Sequence, residues 1–187
     1  MKLIAKALVC VTCLAAMPLV VQAQQGQFGT PDTVYAEIAR INDFTMAVTI
    51  SYFNDENVVG LQIPFKMDAG LNKIVADSAV YTGGRIAESK WAYLGFRPDT
   101  AIQCVTLGMI ANVGPTDYKL TPGNGRLATV FVSSIEKKKI EKLTIDSTTV
   151  HQGVSLMAVA DNYQGNDTLR LEMKDRHIMP VWVVRHK

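Results

Sequence analysis

Chemistry needs particular side chains at particular spacings, and this chain offers few of them. Its three histidines, His151, His177 and His186, miss the three- or four-residue step that sets two imidazoles on one helix face for a metal. No serine stands in a Gly-x-Ser-x-Gly turn. Gly123-Asn124-Gly125, between Pro122 and Arg126, reads as a β-turn and not as a phosphate cradle opening a helix. A glycosidase needs only two carboxylates at a fixed separation. The available ones are Asp55 with Glu56, Asp161 with Asp167, and Asp99, all in polar turns where a solvated carboxylate is the ordinary finding. The run Asp161-Asn162-Tyr163-Gln164-Gly165-Asn166-Asp167 gathers oxygen ligands around a glycine as calcium sites do. It lacks EF-hand spacing and a closing glutamate, so a solvated hairpin turn is expected there. Cys104, inside the strand-like run Ala101–Leu107, reads as a small buried hydrophobe without a base beside it. These residues assign no catalytic group, no metal and no cofactor; the chain does not read as an enzyme.

Two features suit a binding face instead. Trp91 and Tyr93 stand two apart, hence on one side of a strand, with Phe96 close behind. Exposed, the three would make an aromatic platform that stacks on sugar rings. Buried, they are core, the commoner fate of large aromatics in a chain only 7% aromatic. The run Lys137-Lys138-Lys139 offers positive charge to an acidic partner, but Glu136 and Glu141 flank it and dilute the field, as in a solvated connection.

The elements that must position these residues are strands. Apolar residues recur every second position: Val34, Ala36 and Ile38; then Met46, Val48, Ile50 and Tyr52; then, beyond a turn at Asn54–Asn57, Leu61, Ile63, Phe65 and Met67. A period of two means a half-buried strand. Pro64 cannot donate a ladder hydrogen bond, which predicts a sheet edge or a bulge at that point. Further strands are expected over Ile74–Tyr81, Trp91–Leu94, Ala101–Ile110, Arg126–Val132, Leu143–Thr149, Ser155–Ala160, Leu169–Met173 and His177–Val184. Ser133 and Glu136 stand in capping-box relation, so Ser134–Lys142 is either one short helix or an exposed hairpin connection. Many short strands divided by turn residues predict an all-β, two-sheet antiparallel sandwich of jelly-roll or immunoglobulin-like aspect.

The amino terminus carries Lys2 and Lys6, an apolar run from Ala7 to Val21 and the small-residue pattern Val21-Gln22-Ala23. This is the layout of a secretory signal peptide, with Pro18 interrupting a run too short to span a bilayer. Cys10 and Cys13 lie inside it without the preceding Gly or Ala of lipoprotein processing. Residues 1–23 are therefore read as the signal peptide, 24–31 as a flexible lead, and 32–187 as one domain, with no membrane span after cleavage. Of the charged residues, 19 are Lys or Arg and 17 Asp or Glu. Losing Lys2 and Lys6 leaves the remainder near neutral, which argues against a nucleic-acid partner. Cys104 alone survives processing, so packing and not a disulfide must hold the fold.

The motifs Pro31–Tyr35 (PDTVY), Ser51–Asp68 (SYFNDENVVGLQIPFKMD), Ala76–Arg85 (ADSAVYTGGR) and Pro122–Val132 (PGNGRLATVFV) occur in an order that resembles the cohesin-like sandwich domains of secreted bacterial proteins, within the carbohydrate-binding and cohesin superfamily. The resemblance spans Asp32 to Thr149. It implies a jelly-roll sandwich displayed outside the cytoplasm, in which the Gly60-Leu61 turn and the Gly125–Ala128 strand entry are structural positions. No binding residue carries over, because the family's dockerin-binding face has no transferable motif. The chain departs from the family in lacking a dockerin repeat and a surface-layer or sorting signal, and in a carboxy-terminal extension through Trp182 to Lys187. The expectation is a secreted, periplasmic or cell-surface module that binds another exported protein through a sheet face or edge. The alternative is a carbohydrate-binding module that holds a polysaccharide on Trp91, Tyr93 or Phe96.

Overall fold

Inward and outward side chains alternate through β2 (Thr45–Asn54), where Met46, Val48, Ile50 and Tyr52 are buried. β3 (Val58–Asp68) repeats the pattern with Leu61, Ile63, Phe65 and Met67. The computed structural model describes residues 29–86, 91–111, 118–149, 153–161 and 176–185; the expected signal peptide, most of the lead and the strand at Leu169–Met173 lie outside them. The other strands are β1 (Thr33–Asn42), β4 (Ile74–Val80), β5 (Trp91–Asp99), β6 (Cys104–Ala111), β7 (Gly123–Ser134), β8 (Thr144–Ser147), β9 (Met157–Ala160), β10 (His177–Ile178) and β11 (Val181–Arg185). No α-helix occurs among the described residues, and so none there is long and apolar enough to cross a membrane.

The strands form two sheets, ordered β11-β1-β2-β7-β4 and β10-β9-β3-β6-β5, with β8 also on β3. Their facing sides share one apolar core running from Val34 and Val48 in the first sheet to Phe65 and Leu107 in the second. Named pairings are antiparallel except one. β1 lies parallel to β11, from Thr33↔Val181 to Glu37↔Arg185. The carboxy-terminal segment is thus no appendage to the sandwich: β11 is an outer strand of the first sheet, and its Trp182 stacks on the core residue Phe65 with ring centroids 6.0 Å apart.

Pro64 is not at an edge. β3 is flanked by β6 on one side and by β9 and then β8 on the other. The Met67 N–H donates toward β6, to Gln103 O, so odd-numbered residues of β3 point that way and even-numbered ones the other. On that other side the ladder to β9 ends at Gln62 and the ladder to β8 begins at Phe65. The missing N–H of Pro64 falls in the gap between them.

The segment after β7 is the connection and not the helix. Its first residues are tied to neighbouring segments: Ser134 N–H donates to Phe44 O and Ile135 N–H to Lys73 O. Ser134 Oγ accepts from Lys138 N–H at 3.0 Å and donates to Asn72 Oδ1 at 2.8 Å, and Lys137 has a φ of 53°. Ile140 is wholly buried, pinned by its N–H to Asp43 O and by the Arg40 guanidinium on its carbonyl at 2.5 Å. Gly123-Asn124-Gly125 likewise differs from the expected turn. It opens β7 and pairs with Tyr52, Phe53 and Asn54 of β2.

Candidate functional site: an open sheet face and a buried carboxylate cluster

The outer face of the second sheet is set by register. Across β3, β6 and β5, Gly60 faces Ile110 and Ile110 faces Tyr93; one row on, Gln62 faces Gly108 and Gly108 faces Gly95; then come Pro64, Thr106 and Arg97. β9 extends the first two rows with Val159 and Met157. Tyr93 and Ile110 are 54% and 51% exposed, in a sandwich whose remaining large side chains on these strands mostly point inward. A Cβ built on Gly95 would lie 2.5 Å from the Tyr93 ring, and one on Gly108 3.4 Å from it. The ring therefore lies across the sheet over two positions without side chains. Those gaps, bounded by Gln62, Arg97, Ile102, Thr106 and Val154, open a cavity of about 210 Å³.

A β-bulge between Trp91 and Tyr93 undoes the two-residue spacing that sequence alone would place on one face. Trp91 and Phe96 pack against the core from the inner side, and Tyr93 alone of the three stands outward. The aromatic platform is one ring. The first sheet's outer face mixes half-buried Thr33, Thr49, Ser51 and Thr129 with half-buried Tyr35, Phe53 and Phe131, and the Arg185 guanidinium covers the Tyr35 ring at 3.6 Å. One edge of each sheet is blunted, because β4 has a bulge at Ala76/Ser78 and β5 has both its bulge and Pro98.

At one end of the sandwich lies a second cluster. Asp32, Asp55 and Glu56 offer carboxylate oxygens within 4.8 Å of one another. Asp32 and Glu56 are only 3% and 5% exposed and Asp55 is half-buried, so Glu56, a turn carboxylate expected in solvent, is instead drawn against the core. Asp32 precedes β1 on the same inward parity as Val34 and Ala36. It accepts the Tyr52 hydroxyl in a short hydrogen bond. Asp55 Oδ2 accepts the Thr30 N–H at 2.6 Å. Burial, then a hydrogen bond to Asp55 and the charge of Asp32, push the Glu56 carboxyl up to about 9. Burial also raises Asp32, against the hydrogen bonds from Tyr52 and Glu56 that lower it. The Tyr52 phenol is pushed up by burial and by Asp32. Arg85 closes this end, donating to Tyr52 O at 2.8 Å, Gly123 O at 3.0 Å and Thr121 O at 2.5 Å.

The other residues of interest in the sequence are placed more plainly. Cys104 is buried and its thiol is raised by that burial, which makes it a poor nucleophile. Asp161 pairs with Lys119 at 3.0 Å, and Asn162–Asp167 lie outside the described residues. Lys138 and Lys139 pair with Glu136 and Glu141. Sequence reading missed Asp32 and Asn54, although each carries a signal: a polar residue on the inward parity of an otherwise apolar strand.

No family model matches this chain, and no curated protein matches it. Solved structures do. A cohesin of OlpA from Clostridium thermocellum, crystallised with a dockerin, is 11% identical, with 83% of this chain and 99% of that one covered at a TM-score of 0.55. A cohesin of OlpC from the same organism, also in a dockerin complex, is 8% identical over 83% and 89% at 0.52. The third ScaC cohesin of Acetivibrio cellulolyticus, in complex with the ScaB dockerin, is 12% identical over 82% and 98% at 0.50. The fold is a cohesin-like β-sandwich.

Proposed function

We propose that this protein is a non-catalytic binding module that engages a protein partner, itself exported, through the open face of β3, β6 and β5. The observation that carries the reading is the exposure of Tyr93 and Ile110 side by side on β5 and β6, next to a cavity floored by Gly95 and Gly108. An exposed aromatic beside an aliphatic side chain and a small pocket is the anchor pattern of protein interfaces. The bulged β5 edge, beside this face, favours the face over strand addition there. The cohesins of similar fold were crystallised with dockerins, which supports a protein as partner. The reading of residues 1–23 as a signal peptide supports export, to the periplasm, the cell surface or the medium.

The test is a pull-down from the exported fraction of the native cells, with the wild type and a Y93A/I110D double variant as baits. A glycan array is run beside it. A protein retained by the wild type and lost by the variant is the expected result. Glycan binding that depends on Tyr93, without protein capture, would replace this reading with the carbohydrate one.

A further inference from the structure

We propose that Asp32, Asp55 and Glu56, together with the amide oxygen of Asn54, form a binding site for calcium. Four oxygens at this end of the sandwich are buried and find no hydrogen-bond donor among the described residues: Asp32 Oδ1, Asn54 Oδ1, Asp55 Oδ1 and Glu56 Oε1. Buried polar atoms without partners are rare, and each costs free energy unless something satisfies it. Four together, on acceptor atoms alone, point to a cation.

Asn54 is the independent witness. It is wholly buried, and its Nδ2 is anchored on Glu56 O at 2.6 Å and Thr121 O at 3.2 Å. The amide group is thereby oriented, and its oxygen is left over. Extending the β1–β2 register one step beyond Thr33↔Phe53 sets Asn54 directly opposite Asp32, both on the inward parity that also carries Tyr52. The buried amide with its unpartnered oxygen is therefore placed across the ladder from Asp32 and next in sequence to Asp55.

Charge and donor type select the ion. Against three carboxylates stands one guanidinium, Arg85, whose charge interacts with Asp32, and a divalent cation balances what remains. An all-oxygen set with no nitrogen or sulfur excludes the softer metals. Magnesium demands a strict octahedron and keeps several waters, whereas calcium accepts irregular, largely protein-built shells.

Glu56→Gln keeps the shape of the side chain while removing a ligand charge; Asp55→Asn does so at the more exposed position. The purified protein is stripped with EDTA, dialysed, and titrated with calcium chloride by calorimetry and thermal melting. At about 10 mM calcium, roughly a hundred times a Kd of about 10⁻⁴ M, the wild type should gain roughly 5–10 °C in Tm with one saturable heat of binding. E56Q should melt as a folded protein in EDTA and gain nothing, and D55N should bind at least about tenfold more weakly. Absence of both heat and Tm shift in the wild type overturns the proposal. An equal response in E56Q and D55N, which would put the ion elsewhere, does so too, as does an equal response to magnesium.

Discussion

Gly95 and Gly108 face each other across β5 and β6, and the pair makes the bed on which the Tyr93 ring rests. The ring is thus held flat by the sheet while half its surface stays in solvent. A rigid aromatic that keeps its orientation before binding loses little freedom on binding. Tyr93→Ala should weaken capture of the partner by about 2 kcal/mol or more, roughly thirtyfold, and move Tm by less than about 2 °C. Paired binding and melting curves check this; a loss of affinity matched by a large fall in Tm would mark Tyr93 as a structural residue.

Arg85 satisfies three carbonyls of three different residues. Arg85→Met keeps the apolar stem and strips the donors, which should cost about 2–4 kcal/mol in chemical denaturation. Arg85→Lys should recover only part, because an ammonium cannot span the same fork. Full recovery by lysine would show that charge and not geometry matters there.

In EDTA, the carboxylate end makes stability depend on pH in a direction opposite to that of a salt-bridged acid. The Glu56 carboxyl sits near 4.5 when unfolded and is pushed up to about 9 in the fold, and Asp32 is raised as well. The folded state therefore binds protons more tightly. The associated stability is complete below about pH 4.5 and is lost as pH rises toward 9. Melting temperatures of the wild type minus those of E56Q should fall from pH 5 to pH 9. A difference that stays flat or rises would contradict the raised carboxyl.

Ile140 lies in a connection without regular structure and is nonetheless wholly buried. Ile140→Ala should cost about 2–5 kcal/mol, read as a lower urea midpoint at unchanged slope. A cost below about 1 kcal/mol would mean that the connection relaxes into the space.

What the sequence disclosed follows from how local each cause is. Period-two burial is a local property of the strand, so β2 and β3 were readable down to the inward residues. The position of Pro64 depends on where two other strands end, information held some eighty to ninety residues away at Ser147 and Met157. Ser133 and Glu136 carry a sound helix-start signal, yet Phe44 and Lys73 supply acceptors that a window of ten residues does not contain. The bulge at Trp91 is a single extra residue, and it reversed the facing of that ring relative to Tyr93. Asp55 and Glu56 read as turn residues because their burial comes from Asp32, more than twenty positions earlier, and from the chain folding over Tyr52.

The parallel ladder between β1 and β11 has a mechanical consequence. Chain enters β1 beside Val181 and leaves β11 beside Glu37, so a tug on the two ends draws these strands past each other lengthwise. All five rungs then bear the load at once, where a hairpin pulled open from its tip would yield one rung at a time. In single-molecule stretching, that arrangement should register as one high rupture force followed by release of the whole sandwich.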